Sequence, residues 1–199
     1  VDASNNALTS PWTGAVSEVQ AVEGYFTVDS SGAAVASGAV AVQQAQSGYY
    51  TVSSVDGTTA TAAGAVDEAQ AQAGYYTVDS NGAAKDGGAS NVQACALGYF
   101  SAAAGSTVCT QASAGYIATD GANTLTGVNT AAVAEEICGD GTFSGAGATV
   151  CTTAQQGYYI VDASNNALTS PWTGAVSEVQ AVEGYFTVDS SGAAVASGA

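Results

Sequence analysis

Hydrophobic and polar positions along this chain fall into short, recurring blocks. The clearest reads aromatic, aromatic, Thr, Val and then polar, as in "YFTVDSSGAAV" from Tyr25 to Val35. Aromatic and β-branched side chains fit a pleated, half-buried surface, so this block predicts a strand over Tyr25–Val28. Asp29-Ser30-Ser31-Gly32 comes next, with Asp at the first place and Gly at the fourth. That order suits a type I turn closed by a left-handed glycine, and a return strand is expected after it. "TVDSNGAA" from Thr77 to Ala84 repeats the turn at Asp79–Gly82, and "SSVDGTT" and "VDASNNALT" are longer variants. Successive side chains of a strand face opposite ways, so one ring of each aromatic pair should be buried and the other left outside.

Glycine sets the frame. An opening glycine precedes each block, at Gly24, Gly48, Gly74, Gly98, Gly115, Gly141, Gly157 and Gly184. Ten residues before each of these stands an inner position, held by Gly14, Gly38, Gly64, Gly88, Gly105, Ala131, Gly147 and Gly174. The chain therefore divides at 1–23, 24–47, 48–73, 74–97, 98–114, 115–140, 141–156, 157–183 and 184–199, with repeat lengths of 24, 26, 24, 17, 26, 16 and 27 residues. A coarser repeat lies over this one: residues 1–39 are identical to residues 161–199, a period of 160. The chain reads as a window on a longer tandem array.

The ten-residue half of each repeat, such as "GAVSEVQAVE", mixes strand-favouring Val with Ala, Gln and Glu that would permit a helical turn. Its cysteine-bearing versions, "GSTVCTQASA" and "GATVCTTAQQ", tilt the reading toward extended structure. No repeat is long enough to bury its own face, so each must lean on its neighbours. The predicted fold is all-β: an elongated linear array of short β-hairpin repeats, a solenoid-like rod with a few local disulfides.

The four cysteines obey the frame. Cys95 and Cys138 sit three residues before an opening glycine, where every other repeat has alanine (Ala21, Ala45, Ala71, Ala112, Ala154, Ala181). Cys109 and Cys151 sit six residues before one, where the others have Glu18, Val42, Glu68, Val92, Glu135 and Glu178. The third-before place of one repeat and the sixth-before place of the next are either both Cys or neither. Loss in pairs is what a disulfide predicts, because an orphaned thiol gains nothing. Cys95 is thus expected to bond Cys109, and Cys138 to bond Cys151. A metal site would need about four ligands in one place, and the chain has no His. Each pair ties the end of one repeat across one of the two shortest, of 17 and 16 residues, which lack the length for a self-supporting hairpin. A covalent staple replaces the missing contacts. Disulfides also imply an oxidising compartment, and the expected location is extracellular.

"CALGYFSAAAGSTVCTQASAGY" and "CGDGTFSGAGATVCTTAQQGYY" resemble the ephrin-receptor-like family of short cysteine-rich repeats, whose pattern is roughly C-x-x-G-x-Y-S-x-x-G-A-x-x-C-x-x-C-x-x-G. Ala154 stands where that family has a further Cys. The likeness is carried by these two stretches and is weaker elsewhere, where the glycines remain without cysteines. It implies an extracellular rod of the kind found in long surface and flagellar-hair proteins of protists and algae, with no catalytic residues to carry over.

Composition narrows the partners. One Lys and no His stand against 17 acidic residues, for a formal net charge of -16. Phosphate recognition rests on Lys and Arg, so no nucleic-acid partner is expected, nor attraction to anionic lipid. No apolar run approaches the roughly 20 residues of a membrane span. Leu and Ile are scarce and Met is absent, so burial must come from alanines and aromatics in many thin contacts.

Catalytic chemistry finds little support. Without His there is no Ser-His-Asp or Cys-His arrangement. The acid pairs Asp67-Glu68 and Glu135-Glu136 would point to opposite faces of an extended chain, and are read as a solvated edge. Asp29, Asp79 and Asp189 match a calcium loop poorly and are expected to cap their own turns. No enzyme activity, cofactor or bound metal is expected. No Asn-x-Ser/Thr sequon occurs, whereas Ser and Thr crowd the turns. O-linked glycans and divalent cations bridging acidic surfaces are therefore the expected accessories.

Two functions fit. The leading one is a structural subunit of an extracellular filament or surface coat, whose main partner is itself. The other is the stalk or ligand-binding ectodomain of a cell-surface receptor or adhesin, which would need one repeat to differ at an exposed patch. The candidate assembly contacts are Trp172 and its copy Trp12, within "SPWT", and the outward tyrosines Tyr25, Tyr49, Tyr75 and Tyr158.

Overall fold

A computed structural model of the chain describes residues 18–122, 130–169 and 171–198. Its regular structure is all β, with no helix among the described residues. The strands come in antiparallel pairs, one in each repeat from 24 to 183, and each pair opens directly after a glycine of the frame. In the first part of the chain β1 (Tyr25–Val28) pairs with β2 (Ala41–Gln44), β3 (Tyr49–Val52) with β4 (Asp67–Gln70), and β5 (Tyr75–Val78) with β6 (Asn91–Ala94). Then β7 (Tyr99–Phe100) pairs with β8 (Thr110–Gln111) and β9 (Tyr116–Thr119) with β10 (Ala134–Ile137). Last, β11 (Thr142–Phe143) pairs with β12 (Thr152–Thr153), and β13 (Tyr158–Val161) with β14 (Ser177–Gln180). The second strand of each hairpin is the ten-residue half, so its ambiguity resolves as extended chain.

The expected turns are present. The Gly32 N–H donates to the Asp29 carbonyl at 3.1 Å and Gly82 to Asp79 at 3.0 Å, and both glycines have a φ near +85° (87° and 82°). In the longer variant at Asp162, Asn165 takes the left-handed place with a φ of 65°. Asn tolerates that region better than most residues. The return from the turn is shorter than the sequence suggests. Only Ala34 bridges back to Val28, and the full partner of β1 is β2, some twelve residues later. Ala33-Ala34 has little β propensity, whereas Val40-Ala41-Val42 resumes it after Gly38 breaks the chain direction.

Among the described residues no continuous sheet runs through the hairpins, and single parallel bridges join several of them to the next repeat. Phe26 bridges to Ala65, Tyr50 to Ala89, Phe100 to Ala132, Ile117 to Ala148 and Phe143 to Ala175. Packing follows the bridges. Phe26 and Val28 are buried with Ala65, and Tyr50 and Val52 with Ala89. Phe100 packs on Ala112, Ala118 and Ala132, and Phe143 on Ala154, Ile160 and Ala175. The core is thus a set of small clusters, each closed by the alanine that follows an inner position of the frame. A methyl group there lets two backbones approach to hydrogen-bond distance, which a larger side chain would prevent.

The opening glycines reach further. Gly24 has a φ of 78°, and a Cβ on it would lie 2.1 Å from the carbonyl oxygen of Gly88, two repeats on. At Gly98 the same hypothetical atom would lie 1.9 Å from the Gly147 oxygen. Both the backbone conformation and the close approach exclude a side chain.

By internal packing the chain forms two compact units, one of Val1–Ala94 with Ala103–Val108 and one of Cys95–Ala102 with Cys109–Ala199. Every contact described here falls within one or the other.

Candidate functional site

The surface that recurs along the described repeats is the seam between neighbours, and it is built from three elements. The first is the bridge bond. The third residue after an opening glycine donates its N–H to the next repeat: Thr27 to the Ala65 carbonyl at 3.1 Å, Thr51 to Ala89 at 3.0 Å, Thr77 to Ser106 at 3.1 Å, Ser101 to Ala132 at 3.0 Å and Ala118 to Ala148 at 3.1 Å. Where that residue is threonine, its hydroxyl closes the local turn as well, donating to the carbonyl of Val35, Thr61 or Lys85 at 2.6 Å.

The second element is the alanine three residues before each opening glycine. Ala21, Ala45, Ala71, Ala112 and Ala154 are buried, as are Cys95 and Cys138 in the same place. Their carbonyls accept the N–H of an inner residue further on: Gly64 to Ala21 at 2.8 Å, Gly88 to Ala45 at 2.8 Å, Ala131 to Cys95 at 3.0 Å and Gly174 to Cys138 at 2.9 Å.

The third is a tether from the sixth-before place, and here the cysteines find their explanation. Cys95 is bonded to Cys109 and Cys138 to Cys151, with Cα–Cα distances of 5.7 and 5.6 Å, as the repeat frame expects. In three other repeats a glutamate does the same work without a covalent bond. The Glu68 carboxylate accepts the Gln46 backbone N–H at 2.7 Å and its side-chain amide at 2.6 Å. Glu178 holds Gln155 in the same way, at 2.7 Å for both bonds, and Glu135 holds the Ser113 N–H at 2.7 Å. Glu and Cys are therefore alternative fasteners at one structural place. The disulfides fall where the strands shrink from four residues to two, in β7/β8 and β11/β12.

The acid pairs are consequently not a solvated edge. Their carboxylates do point apart, Glu135 to Ser113 and Glu136 to the Thr119 hydroxyl at 3.0 Å, but both are engaged and Glu136 is buried. Asp67 holds the Asp56 N–H at 2.9 Å. One further carboxylate spans two repeats: Glu23 accepts from the Ser90 hydroxyl at 2.7 Å and from the Ser80 N–H at 2.6 Å. The Ser90 hydrogen bond, followed by those of Ser80, holds the Glu23 carboxyl below its ordinary range, with Lys85 adding a smaller attraction.

The turn aspartates cap themselves. Asp29 accepts from the Ser31 hydroxyl at 2.6 Å, the Ser31 N–H at 2.7 Å and the Ala33 N–H at 3.1 Å, which lowers its pKa. Asp189 repeats this pattern, led by the Ser191 hydroxyl. In Asp162 the Asn166 N–H is the leading cause of the same shift. Every buried side-chain polar atom among the described residues has a partner.

The aromatic candidates divide as strand geometry requires in the first two repeats, where Phe26 and Tyr50 are buried and Tyr25 and Tyr49 half-buried. Tyr75 is exposed and Tyr158 half-buried. Tyr50 donates its hydroxyl to the Thr58 carbonyl at 3.1 Å, and burial raises its pKa. Trp12 lies outside the described residues. Trp172 has a φ of 56°, rare for a bulky residue, and lines a groove of about 450 Å³ with Tyr159, Leu168, Tyr185 and Phe186.

That groove exposes a difference between identical sequences. Residues 24–38 and 184–198 are the same, yet Phe26 is 4% exposed and Phe186 74%. The turn itself forms in both: Gly192 donates to the Asp189 carbonyl at 2.9 Å, and Thr187 closes onto Val195 at 2.9 Å, as Thr27 does onto Val35. Only Tyr25–Val28 has become a strand. The turn forms in both copies, and in the first Ala41 and Ala65 also pack against the strand.

No protein-family model matches the chain, and no curated protein matches it. No helix among the described residues is long and apolar enough to cross a membrane. The seam therefore speaks for itself.

Proposed function

We infer that this chain is a structural protein, part of an extracellular filament or surface coat built from tandem 160-residue periods. The observation that carries this reading is the bridge bond from one repeat to the next, Thr27 to Ala65, Thr51 to Ala89 and onward. A contact made by successive repeats, each to the next, has no built-in stop, so additional repeats extend the structure by adding neighbours of the same kind. In this reading the hairpins form an elongated, solenoid-like array, and Tyr75 and Trp172 make contacts between arrays. The two disulfide-bearing stretches support membership of the ephrin-receptor-like repeats, and disulfides persist in oxidising surroundings, which suits an extracellular location. A charge of -16 opposes lateral association of bare rods. Divalent cations and O-linked glycans on the Ser- and Thr-rich turns would offset that repulsion.

Electron microscopy of the native material and of a recombinant array of several periods tests this function. Long, uniform fibres whose length grows with period number are expected. Short stalks on a membrane would favour the receptor or adhesin reading instead. A compact, monodisperse globule with unchanged diameter would overturn both.

A further inference from the structure

We propose that Glu23, Ser80 and Ser90, with Lys85 and Asp86 beside them, form a register key that selects 74–97 as the repeat packed against Gly24. The contact that brings these two places together does not discriminate. Gly24 meets the backbone of Gly88, and in the same way Gly48 meets Gly105, Gly98 meets Gly147 and Gly115 meets Gly174. A backbone contact between glycines is the same whichever repeat supplies it. The side chains next to Gly24 and Gly88 are what differ from repeat to repeat. The key holds whether or not periods assemble into filaments, because all its contacts lie within one compact unit of a single chain.

Repeats 24–47 and 74–97 are both 24 residues long, so their positions correspond one to one. The second carries Lys85, Asp86 and Ser90 where the first has Val35, Ala36 and Val40. Valine also stands at the place of Ser90 in the other long repeats, as Val66, Val133 and Val176. All three departures face residues of earlier repeats. The Ser90 hydroxyl donates to Glu23 Oε1 at 2.7 Å, the Ser80 N–H donates to the same oxygen at 2.6 Å, and the Ser80 hydroxyl donates to Oε2 at 3.0 Å. Lys85 attracts the same carboxylate, and Asp86 accepts the hydroxyl of Ser47. Ser90 is 2% exposed, so its hydroxyl depends on that acceptor. Elsewhere Ala73, Leu97 and Ala114 occupy the place of Glu23, and their side chains offer none. A chain packed one repeat out of order would leave the Ser90 hydroxyl buried and unpaired, whereas a valine there would not register the error. A polar group set among apolar alternatives specifies register in this way.

Two measurements on the full chain test the key. The first is a double-mutant cycle in urea with Glu23→Ala, Ser90→Val and the pair. Each single change should lower the midpoint, and the loss in the pair should fall short of their sum by about fivefold in the unfolding constant. Simple additivity would overturn the proposal. The second reads register directly. Glu23→Ala/Lys85→Val/Asp86→Ala/Ser90→Val gives the key positions residues that other repeats carry there or that cannot pair, and both disulfides are kept intact through unfolding and refolding. Nuclear magnetic resonance then follows the through-space contact between the α-protons of Gly24 and Gly88. The native chain should regain one set of Gly88 signals with that contact in full. The substituted chain should show split Gly88 signals and a contact weakened by about twofold or more. A substituted chain that refolds to a single species with the full contact would sink the idea. The cycle decides by itself if the quadruple variant does not fold.

Discussion

If glutamate and cystine are alternative fasteners at one place, a disulfide should form where none exists. Ala45 and Glu68 occupy the positions that Cys95 and Cys109 hold in a shorter repeat. Ala45 is 2% exposed, and Cys95 is tolerated in the same position at 0%. The double variant Ala45→Cys/Glu68→Cys closes a loop of 23 residues, counted as 68 minus 45. The chain-entropy relation gives about 3 kcal/mol for a loop of that size. Removing the Glu68 carboxylate gives up two exposed hydrogen bonds to Gln46, worth about 1 kcal/mol together. The oxidised variant should thus exceed the native chain by about 2 kcal/mol, or about 5 °C in thermal midpoint for a chain of this size. Thiol titration under denaturing conditions, non-reducing peptide mapping and urea melts with and without reductant check each part. Two titratable thiols after mild oxidation of the folded protein would refute the equivalence, as would an oxidised form no more stable than the reduced one.

Replacing both Cys138 and Cys151 by Ala removes a short cross-link and should cost about 3 kcal/mol in urea unfolding, with the loss concentrated around β11 and β12. Gly98→Ala places a methyl against the Gly147 carbonyl at a φ of 74°. It should cost about 2 kcal/mol or more, read from the same melts, whereas Gly139→Ala, where the added Cβ meets nothing, should cost less than about 1 kcal/mol. Acidification provides a fourth check. The Glu23 carboxyl is held below its usual range, so the stability it contributes is full above about pH 4.5 and is lost as pH falls through its lowered folded value. Glu23→Gln should therefore be destabilising at pH 7, and the gap to the native chain should narrow below about pH 4; a constant gap down to pH 2 would contradict the Ser80 and Ser90 bonds.

Much of the fold is local and was legible for that reason. The strand at Tyr25–Val28, the turn at Asp29–Gly32 and the paired cysteines follow from residue types a few places apart. The repeat frame also marks which positions matter. It does not say which repeat each position meets. Nothing in "YFTV" reveals that its partner is Ala41–Gln44 rather than the alanines just after the turn, because several weak strand formers compete. The reach of Gly24 to Gly88 is invisible for the same reason, since every opening glycine looks alike in sequence. The glutamate tethers leave a signal in the sequence as well. The sixth-before place holds Glu or Cys in all but two repeats, Val42 and Val92 being the exceptions, and a place that accepts either an acid or a thiol calls for a fastener, not for solubility. Of the candidate contacts, Trp172 could be singled out by its rarity, but only its neighbours Tyr185 and Phe186 show that it borders an open groove.

The contact between Gly24 and Gly88 sets a timetable for biosynthesis. A repeat is closed only when the inner glycine two repeats downstream has been made, here 64 residues later, as 88 minus 24. At about 5–20 residues per second, each new hairpin waits roughly 3–13 s for its last contact. Throughout that interval the newest repeats present aromatic rings and open strand edges. On the tandem-array proposal, a chain of many periods would carry one such sticky leading end per ribosome. Crowded polysomes would bring those ends together, and because residues 1–39 and 161–199 are identical, a misplaced neighbour would fit as well as the correct one. Secretion coupled to synthesis, which keeps each growing chain in its own channel, would prevent that exchange.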